Sequence, residues 1–132
     1  MGVCDDDYQI CRDGKFVVLK MLHDVDDAEV IACIAQTLKT YLSRRSEKHG
    51  PFALLIDLRA CVAFTKAHVL STVSILIGEK DAVLEHLSRS AVLMTPNIAF
   101  APLKAMFDYL YTSVRPFSIF SDESAARDFL LA

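Results

Sequence analysis

A continuous apolar run, Phe52 to Leu58, constrains the fold more than any other stretch of the chain. Its only charged residue is Asp57, next to its end. A strand without polar alternation needs cover on both faces, as strands have in parallel sheets flanked by helices. Gly50 and Pro51 stand directly before the run, where they favour the end of a preceding helix. The run therefore predicts a central strand of an α/β sheet.

The segments around this run alternate between strand patterns and helix patterns. An Asp13-Gly14 pair, which is a strong hairpin signal, separates the first two strands. The predicted strands are Tyr8 to Arg12, Lys15 to Leu22, Phe52 to Leu58, Ser90 to Met94 and Pro116 to Phe120. The predicted helical segments run from Asp24 or Asp26 to Lys48, Lys66 to Ile77, Asp81 to Leu87, Ile98 to Ser113 and Ser121 to Ala132. Alternation predicts a mainly parallel sheet with crossover connections.

We therefore expect one α/β domain spanning residues 1–132, with a five-stranded mixed sheet, about four helices and a flexible segment at residues 1–7. A chain of this length can bury about two-thirds of its unfolded surface. The first helix should bury one broad face and the last helix a narrower one. The residues expected to point inward are Val30, Ile31, Ile34, Ala35, Leu38, Tyr41 and Leu42 in the first helix, and Ala125, Phe129 and Leu130 in the last. Asp24 or Asp26 should cap the first helix, and Ser121 or Asp122 the last.

Composition excludes several classes of function. Hydrophobic residues make up 53% of the chain, above the ordinary ~45–50%, which indicates strands covered on both faces or an additional apolar binding surface. The net charge is −3, and Lys and Arg are scattered, so the basic stripe of a nucleic-acid surface is absent. No stretch approaches the ~18–20 apolar residues of a membrane span. The acidic start, MGVCDDDYQ, has no apolar signal-peptide core.

The four cysteines indicate reduced thiols in a cytoplasm. They are Cys4, Cys11, Cys33 and Cys61. No CxxC pair occurs among them, which argues against zinc. Cys33 and Cys61 stand in apolar surroundings and are expected in the core. The four histidines lack metal-ligand spacing, the run from Asp24 to Asp27 lacks the glycine and distal glutamate of a calcium loop, and no cofactor motif is present.

The element order and three stretches of the sequence resemble the STAS superfamily, and in particular its SpoIIAA-like branch of small stand-alone proteins. The three stretches are DGKFVVLKM, FALLIDLR and RPFSIFSDESAARDFLLA. The similarity covers nearly the whole chain from about Tyr8. It implies the fold expected above and a function in regulated protein docking. In antagonist members an Asp-Ser-Ser-Gly turn follows the strand that ends in Asp-Leu, and a kinase phosphorylates a serine there.

That phosphorylation switch does not carry over to this chain. Alignment on Asp57-Leu58 places Thr65-Lys66-Ala67-His68 at the turn, without the serine, the acidic residue or the glycine. Thr65 is the only hydroxyl there, and it suits the cap of the following helix. We therefore expect no phosphorylation control at this turn and a surface constitutively available for pairing.

Asp57 is the first candidate site residue. A carboxylate at the carboxyl end of a parallel strand lies where α/β proteins bind ligands. The alternative is a carboxylate that accepts backbone N–H bonds and fixes the loop. Phe64, Thr65, Lys66 and His68 are further candidates for partner contact. No nucleophile with a base and an orienting third group is recognisable.

The helix IAFAPLKAMFDYLYTSV supplies a second candidate surface. Phe100, Leu103 and Phe107 can face the sheet, while Met106 and Tyr109 point elsewhere. Surplus apolar surface on a helix indicates a partner or ligand site, unless a neighbouring segment covers it.

Two functions remain open. The first is a non-enzymatic interaction module that docks an unidentified protein partner or a second copy of itself. The second is a carrier or sensor of a small apolar ligand or lipid bound between sheet and helices.

Overall fold

The computed structural model describes residues 3–14, 16–25, 27–61, 78, 81, 85–95, 104–105 and 116–132. Six strands form one sheet in which the spatial order equals the chain order. The strands are β1 (Val3–Cys4), β2 (Tyr8–Asp13), β3 (Phe16–Met21), β4 (Phe52–Asp57), β5 (Leu87–Leu93) and β6 (Phe117–Phe120), and the described helices are α1 (Ala28–His49) and α2 (Glu123–Leu131). The first three strands pair antiparallel, and β3 to β6 pair parallel.

All five predicted strands lie in this mixed sheet, and β1 is an addition. The segment 1–7 was expected to be flexible, but Val3 and Cys4 pair with Ile10 and Gln9. The described part of the chain holds two helices rather than about four. The predicted helix from Lys66 to Ile77 and most of the one from Ile98 to Ser113 lie outside the described residues. The positions Gly78, Asp81, Glu85, His86, Lys104 and Ala105 are helical.

Two glycines make the turns that the sequence predicts. Gly14 has a φ of +61° between β2 and β3, a conformation that other residues rarely adopt. Asp13, which was predicted in the turn, pairs with Phe16 and therefore belongs to β2. Gly50 has a φ of +77° directly after α1, as expected of a helix C-terminus.

The sheet is covered on both faces, and β4 divides its side chains between them. Leu54 packs in a core cluster with α1, and Leu55 packs in a separate cluster with α2, because successive residues of a strand point to opposite faces. The α1-side cluster consists of Tyr8, Ile10, Val17, Leu19, Met21, Ile34, Tyr41, Leu42, Phe52, Leu54 and Leu87. The α2-side cluster consists of Phe16, Ala53, Leu55, Ala91, Leu93, Ala126 and Leu130.

Several local predictions require correction at the helices. The sequence predicted Asp24 or Asp26 as the cap of α1, but the cap is Asp27, whose Oδ1 accepts the Glu29 N–H at 2.9 Å. The predicted cap Asp122 is confirmed, with its side chain accepting the Ala125 N–H. The inward alanine of α2 is Ala126, not Ala125.

Two further corrections concern strand β5 and a cysteine. The predicted strand begins at Ser90, but β5 begins at Leu87, which was placed at the end of a helical segment. A register irregularity in the pairing of β5 with β4 accommodates this longer strand. Cys33 was expected in the core, but it lies exposed on α1.

Candidate functional site

The last residue of β4, Asp57, lies at the carboxyl edge of the parallel strands with 5% of its surface exposed. One carboxylate oxygen accepts the Arg59 backbone N–H at 3.0 Å and the Arg59 Nε–H at 3.1 Å. The other accepts an N–H from Arg59 Nη2 at 2.9 Å. Both oxygens are thus engaged by a residue two positions further along the chain. This geometry is that of a carboxylate that shapes a loop.

The same contacts determine the ionisation of Asp57. Burial opposes the charged form, but the side-chain and backbone hydrogen bonds from Arg59 and the charges of Arg59 and Lys20 outweigh it, so the pKa of Asp57 is lowered. The hydrogen bond to Asp57 in turn raises the pKa of Arg59. The carboxylate is therefore ionised at neutral pH, which is unsuitable for a general acid.

Arg59 also begins a row of ion pairs that joins three elements. Its Nη2 lies 2.9 Å from a carboxylate oxygen of Glu123 in the first turn of α2. Glu123 contacts Arg127 at 2.8 Å, and Arg127 contacts Asp13 at 3.0 Å. We call these five residues, Asp57, Arg59, Glu123, Arg127 and Asp13, the charge row. It connects the end of β4, helix α2 and the β2–β3 hairpin.

Backbone contacts hold the loop after β4 against its neighbours. The Leu58 N–H donates to the Leu93 carbonyl at 2.8 Å, and the Cys61 N–H donates to the Leu58 carbonyl at 3.0 Å. The Thr95 hydroxyl, just after β5, donates to the Arg59 carbonyl at 3.0 Å. The chain therefore leaves the sheet in a defined direction at the point where the sequence predicted a site.

Cys61 is the one thiol at this edge among the described residues. Its Sγ lies 3.7 Å from the carbonyl oxygen of His23, which follows β3. Burial, with smaller contributions from the charges of Asp24 and Asp57, raises its pKa to about 11. Since the thiolate is the nucleophilic form, a thiol protonated at neutral pH is a poor nucleophile. Cys61 was expected in the core, and it is half-buried here.

His23 lies beside this thiol and uses both ring nitrogens. Nδ1 is 2.8 Å from the Asp24 carbonyl oxygen, and Nε2 is 2.7 Å from Asp7 Oδ1. Two acceptors favour the imidazolium, in which both nitrogens donate. The Asp24 contact, together with Asp7, outweighs desolvation and raises the pKa of His23. The histidine therefore joins the loop before β2 to the loop after β3.

These groups hold the structure together and do not form a catalytic constellation in the part of the chain that the structure describes. Asp57 is engaged on both oxygens, Cys61 is protonated and His23 is occupied at both nitrogens. The described residues also contain no group of three or more metal-ligating side chains. A reaction at this edge would need a nucleophile with an activating base.

Of the predicted site residues, only Asp57 is described. The other six lie outside the described residues: Phe64, Thr65, Lys66 and His68 on one predicted surface, and Met106 and Tyr109 on the other. Sequence reasoning missed the role of Arg59 and its link to Glu123. The Asp-Leu-Arg spacing and the Glu123–Arg127 pair, four residues apart, were the available signals.

Comparison with known proteins identifies the fold. No protein-family model matches the chain, and no curated protein matches it either. The chain is similar to a solved crystal structure, that of an uncharacterised protein of the DUF3478 family from Shewanella loihica PV-4, which has a SpoIIAA-like fold. The match covers 93% of this chain and 91% of that protein, with a TM-score of 0.55 and 12% sequence identity. The chain therefore has a SpoIIAA-like α/β fold. No helix in the described ranges is long and apolar enough to cross a bilayer.

Proposed function

We propose that this chain is a non-enzymatic interaction module of SpoIIAA-like fold that docks a protein partner or a second copy of itself. The observation that carries the proposal is the state of Asp57. Arg59 engages both of its oxygens and its pKa is lowered, so the acidic group at the ligand-binding edge maintains loop shape. A rigid loop of this kind presents a docking surface with little loss of entropy on binding.

The docking surface in this proposal is the segment after the loop, with Phe64, Thr65, Lys66 and His68 as contacts. Aromatic residues such as Phe are enriched in the buried centres of interfaces. The segment lacks the phosphorylated serine of antagonist relatives, and Lys66 would offset part of any charge added at Thr65. We propose that the surface is constitutively competent for docking, in a protein of the cytoplasm.

The test compares association before and after substitution of this surface. Light scattering over a range of concentrations should show self-association of the wild type, at least tenfold weaker in Phe64→Ala with Lys66→Ala. Thr40→Ala, on the exposed side of α1, is the matched control and should leave association unchanged. Phosphopeptide mapping of native protein should find no stoichiometric phosphate on Thr65. Phosphate there, with loss of association in Thr65→Glu, would contradict constitutive docking.

A second candidate function is supported by one specific observation, the Tyr41 hydroxyl. Tyr41 lies in the cluster between α1 and the sheet, 8% exposed, and its buried hydroxyl makes no hydrogen bond among the described residues. Buried hydroxyls nearly always have a partner, because an unpaired one costs roughly 1–3 kcal/mol. A small amphiphilic ligand with a hydrogen-bond acceptor would supply one, with Met106 and Tyr109 as further contacts.

Native mass spectrometry separates the two candidates. A carrier purified from cells should retain an extra mass, and Tyr41→Phe should reduce the retained fraction. A docking module should show only the masses of the chain and its oligomers, and Tyr41→Phe should then leave its association unchanged.

A further inference from the structure

The turn between β1 and β2 is tied to the end of β3 through Asp7. The Asp7 carbonyl accepts the Leu22 N–H at 3.0 Å, and Asp7 Oδ1 lies 2.7 Å from His23 Nε2. Asp7 also closes the turn itself, because its N–H donates to Asp5 Oδ1 at 3.2 Å. Strand β1 has two residues, and in the part of the chain that the structure describes it pairs with β2 alone. The position of this short strand therefore depends on the turn that Asp7 fixes.

His23 makes both of its side-chain contacts only when its ring is doubly protonated. Nδ1 lies 2.8 Å from the Asp24 carbonyl oxygen, so both ring nitrogens face acceptors. The imidazolium donates to both, whereas a neutral imidazole has one N–H and carries a lone pair on its other nitrogen. In either neutral tautomer the ring therefore loses one of the two hydrogen bonds, together with the charge attraction to Asp7.

The titratable groups that contact His23 within the described ranges come from three segments. They are Asp7 in the turn, Asp24 in its own loop and Cys61 after β4, whose Sγ lies 3.7 Å from the His23 carbonyl oxygen. The contact with the Asp24 carbonyl, together with the hydrogen bond and charge of Asp7, outweighs desolvation and raises the pKa of His23 above 6.5. The pKa of Cys61 is raised to about 11, so the thiol stays neutral while the ring titrates. The His23 side chain is 52% exposed and follows the pH of the solvent.

We infer that this turn is a pH switch for β1, in which the doubly protonated His23 ring holds the strand against β2 and the neutral ring releases it. The switch does not depend on the docking function proposed above. The two hydrogen bonds are complete below pH 6.5 and are lost as the pH rises above that value. Release of β1 makes β2 the edge strand of the described sheet, and an open strand edge can pair with another chain. The pH therefore controls access to β2 at Gln9 and Ile10, where β1 pairs.

NMR spectroscopy of the wild type tests this switch directly. The nuclear Overhauser effects between Val3 and Ile10, which pair across β1 and β2, should weaken at least twofold as the pH is raised from about 5 to about 8. The midpoint of this change should coincide with the midpoint of the His23 ring titration. The pair Tyr8 and Met21, between β2 and β3, is the internal control and should keep its intensity.

Asp7→Asn and Asp6→Asn are a matched pair of variants, since each removes one negative charge from the same turn. Asp6 is exposed and is not in contact with His23. Asp7→Asn should lower the pKa of the ring and remove the pH dependence of β1 pairing, because an amide accepts from the charged ring and donates to the neutral one. Asp6→Asn should behave as the wild type does. Pairing of β1 that stays constant while His23 titrates would overturn the switch, as would identical behaviour of the two variants.

Discussion

The two faces of the sheet are covered by different means. On one face the 22-residue α1 packs against an extended apolar cluster drawn from β2 to β5. On the other face the nine-residue α2 covers a smaller cluster that includes two alanines of the sheet. Three arginines supplement that smaller cluster. Arg59 pairs with Glu123, Arg89 lies 5.3 Å over the Phe129 ring, and Arg127 lies 5.0 Å over the Phe16 ring.

A short helix can thus be held on a sheet by charged side chains around a small apolar centre. Nine residues give about two and a half turns, too few to be stable alone in water. Arg89 and Arg127 add cation–π contacts, each worth roughly 0.5–1 kcal/mol at exposed sites, and arginine stems can cover apolar surface. We therefore expect α2 to open before α1 does.

The largest effects should come from two neighbouring leucines on opposite faces of β4. Leu54 is 3% exposed and Leu55 is 2% exposed, and Leu→Ala at such sites costs about 2–5 kcal/mol. In native-state hydrogen exchange, Leu55→Ala should raise exchange selectively in α2, and Leu54→Ala should lower the global free energy of unfolding. Equal exchange profiles for the two variants would mean that the faces are not independent.

Asp57→Asn should have the next largest effect. The substitution leaves the shape nearly unchanged but removes a charge held by Arg59, and hydrogen bonds to charged groups contribute about 1.5–3 kcal/mol. We expect a lower melting temperature and faster exchange of the Arg59 amide. Gln9→Glu, at an exposed position of β2, is a control that should change neither the melting temperature nor the exchange of the Arg59 amide. An activity lost in Asp57→Asn at an unchanged melting temperature would contradict the structural role.

Helix capping compares the two helices directly. Asp122→Ala removes the acceptor of the Ala125 N–H at 3.0 Å, and Asp27→Ala removes that of the Glu29 N–H at 2.9 Å. Each should cost about 1 kcal/mol. Circular dichroism with hydrogen exchange should show that Asp122→Ala loosens the whole of α2, while Asp27→Ala frays only the first turn of the longer α1.

The smallest effect should be the pH dependence of the charge row. The hydrogen bond from Arg127 and the charge of Arg59 lower the pKa of Glu123 from its ordinary value of 4.5. Desolvation opposes this change but does not cancel it. A lowered pKa gives stability that is complete above 4.5 and is lost as the pH falls through the folded-state value. Glu123→Gln should therefore cost up to ~1 kcal/mol at pH 6, and thermal melts should show this difference shrinking below pH 4.5.

His23→Gln is the contrasting control for that measurement. The pKa of His23 is raised from 6.5, so its contribution is complete below 6.5 and is lost as the pH rises above that value. The difference in stability between His23→Gln and the wild type should therefore shrink towards alkaline pH, whereas that of Glu123→Gln shrinks towards acidic pH. The same trend in both variants would contradict the assignment of these contacts.

The sequence predicted the strands better than the contacts between elements. The continuous apolar run placed β4 within one residue, and Gly14 and Gly50 placed two turns, because these signals are local. The predicted beginning of β5 was three residues late, because Leu87 also fits the helix pattern that starts at Asp81 and only pairing with β4 decides. Arg59 was overlooked because its partner Glu123 is 64 positions away in the chain, and no local pattern reports such a distance.

The sequential strand order has a consequence for synthesis of the protein. Each strand from β2 onward pairs with the strand made immediately before it, so the sheet can grow as the chain leaves the ribosome, N-terminal part first. Until β6 emerges, however, the edge of β5 stands open with Ala91, Val92 and Leu93 exposed to other nascent chains. The interval between the emergence of β5 and the emergence of β6 is therefore the period in which this edge can pair with another chain.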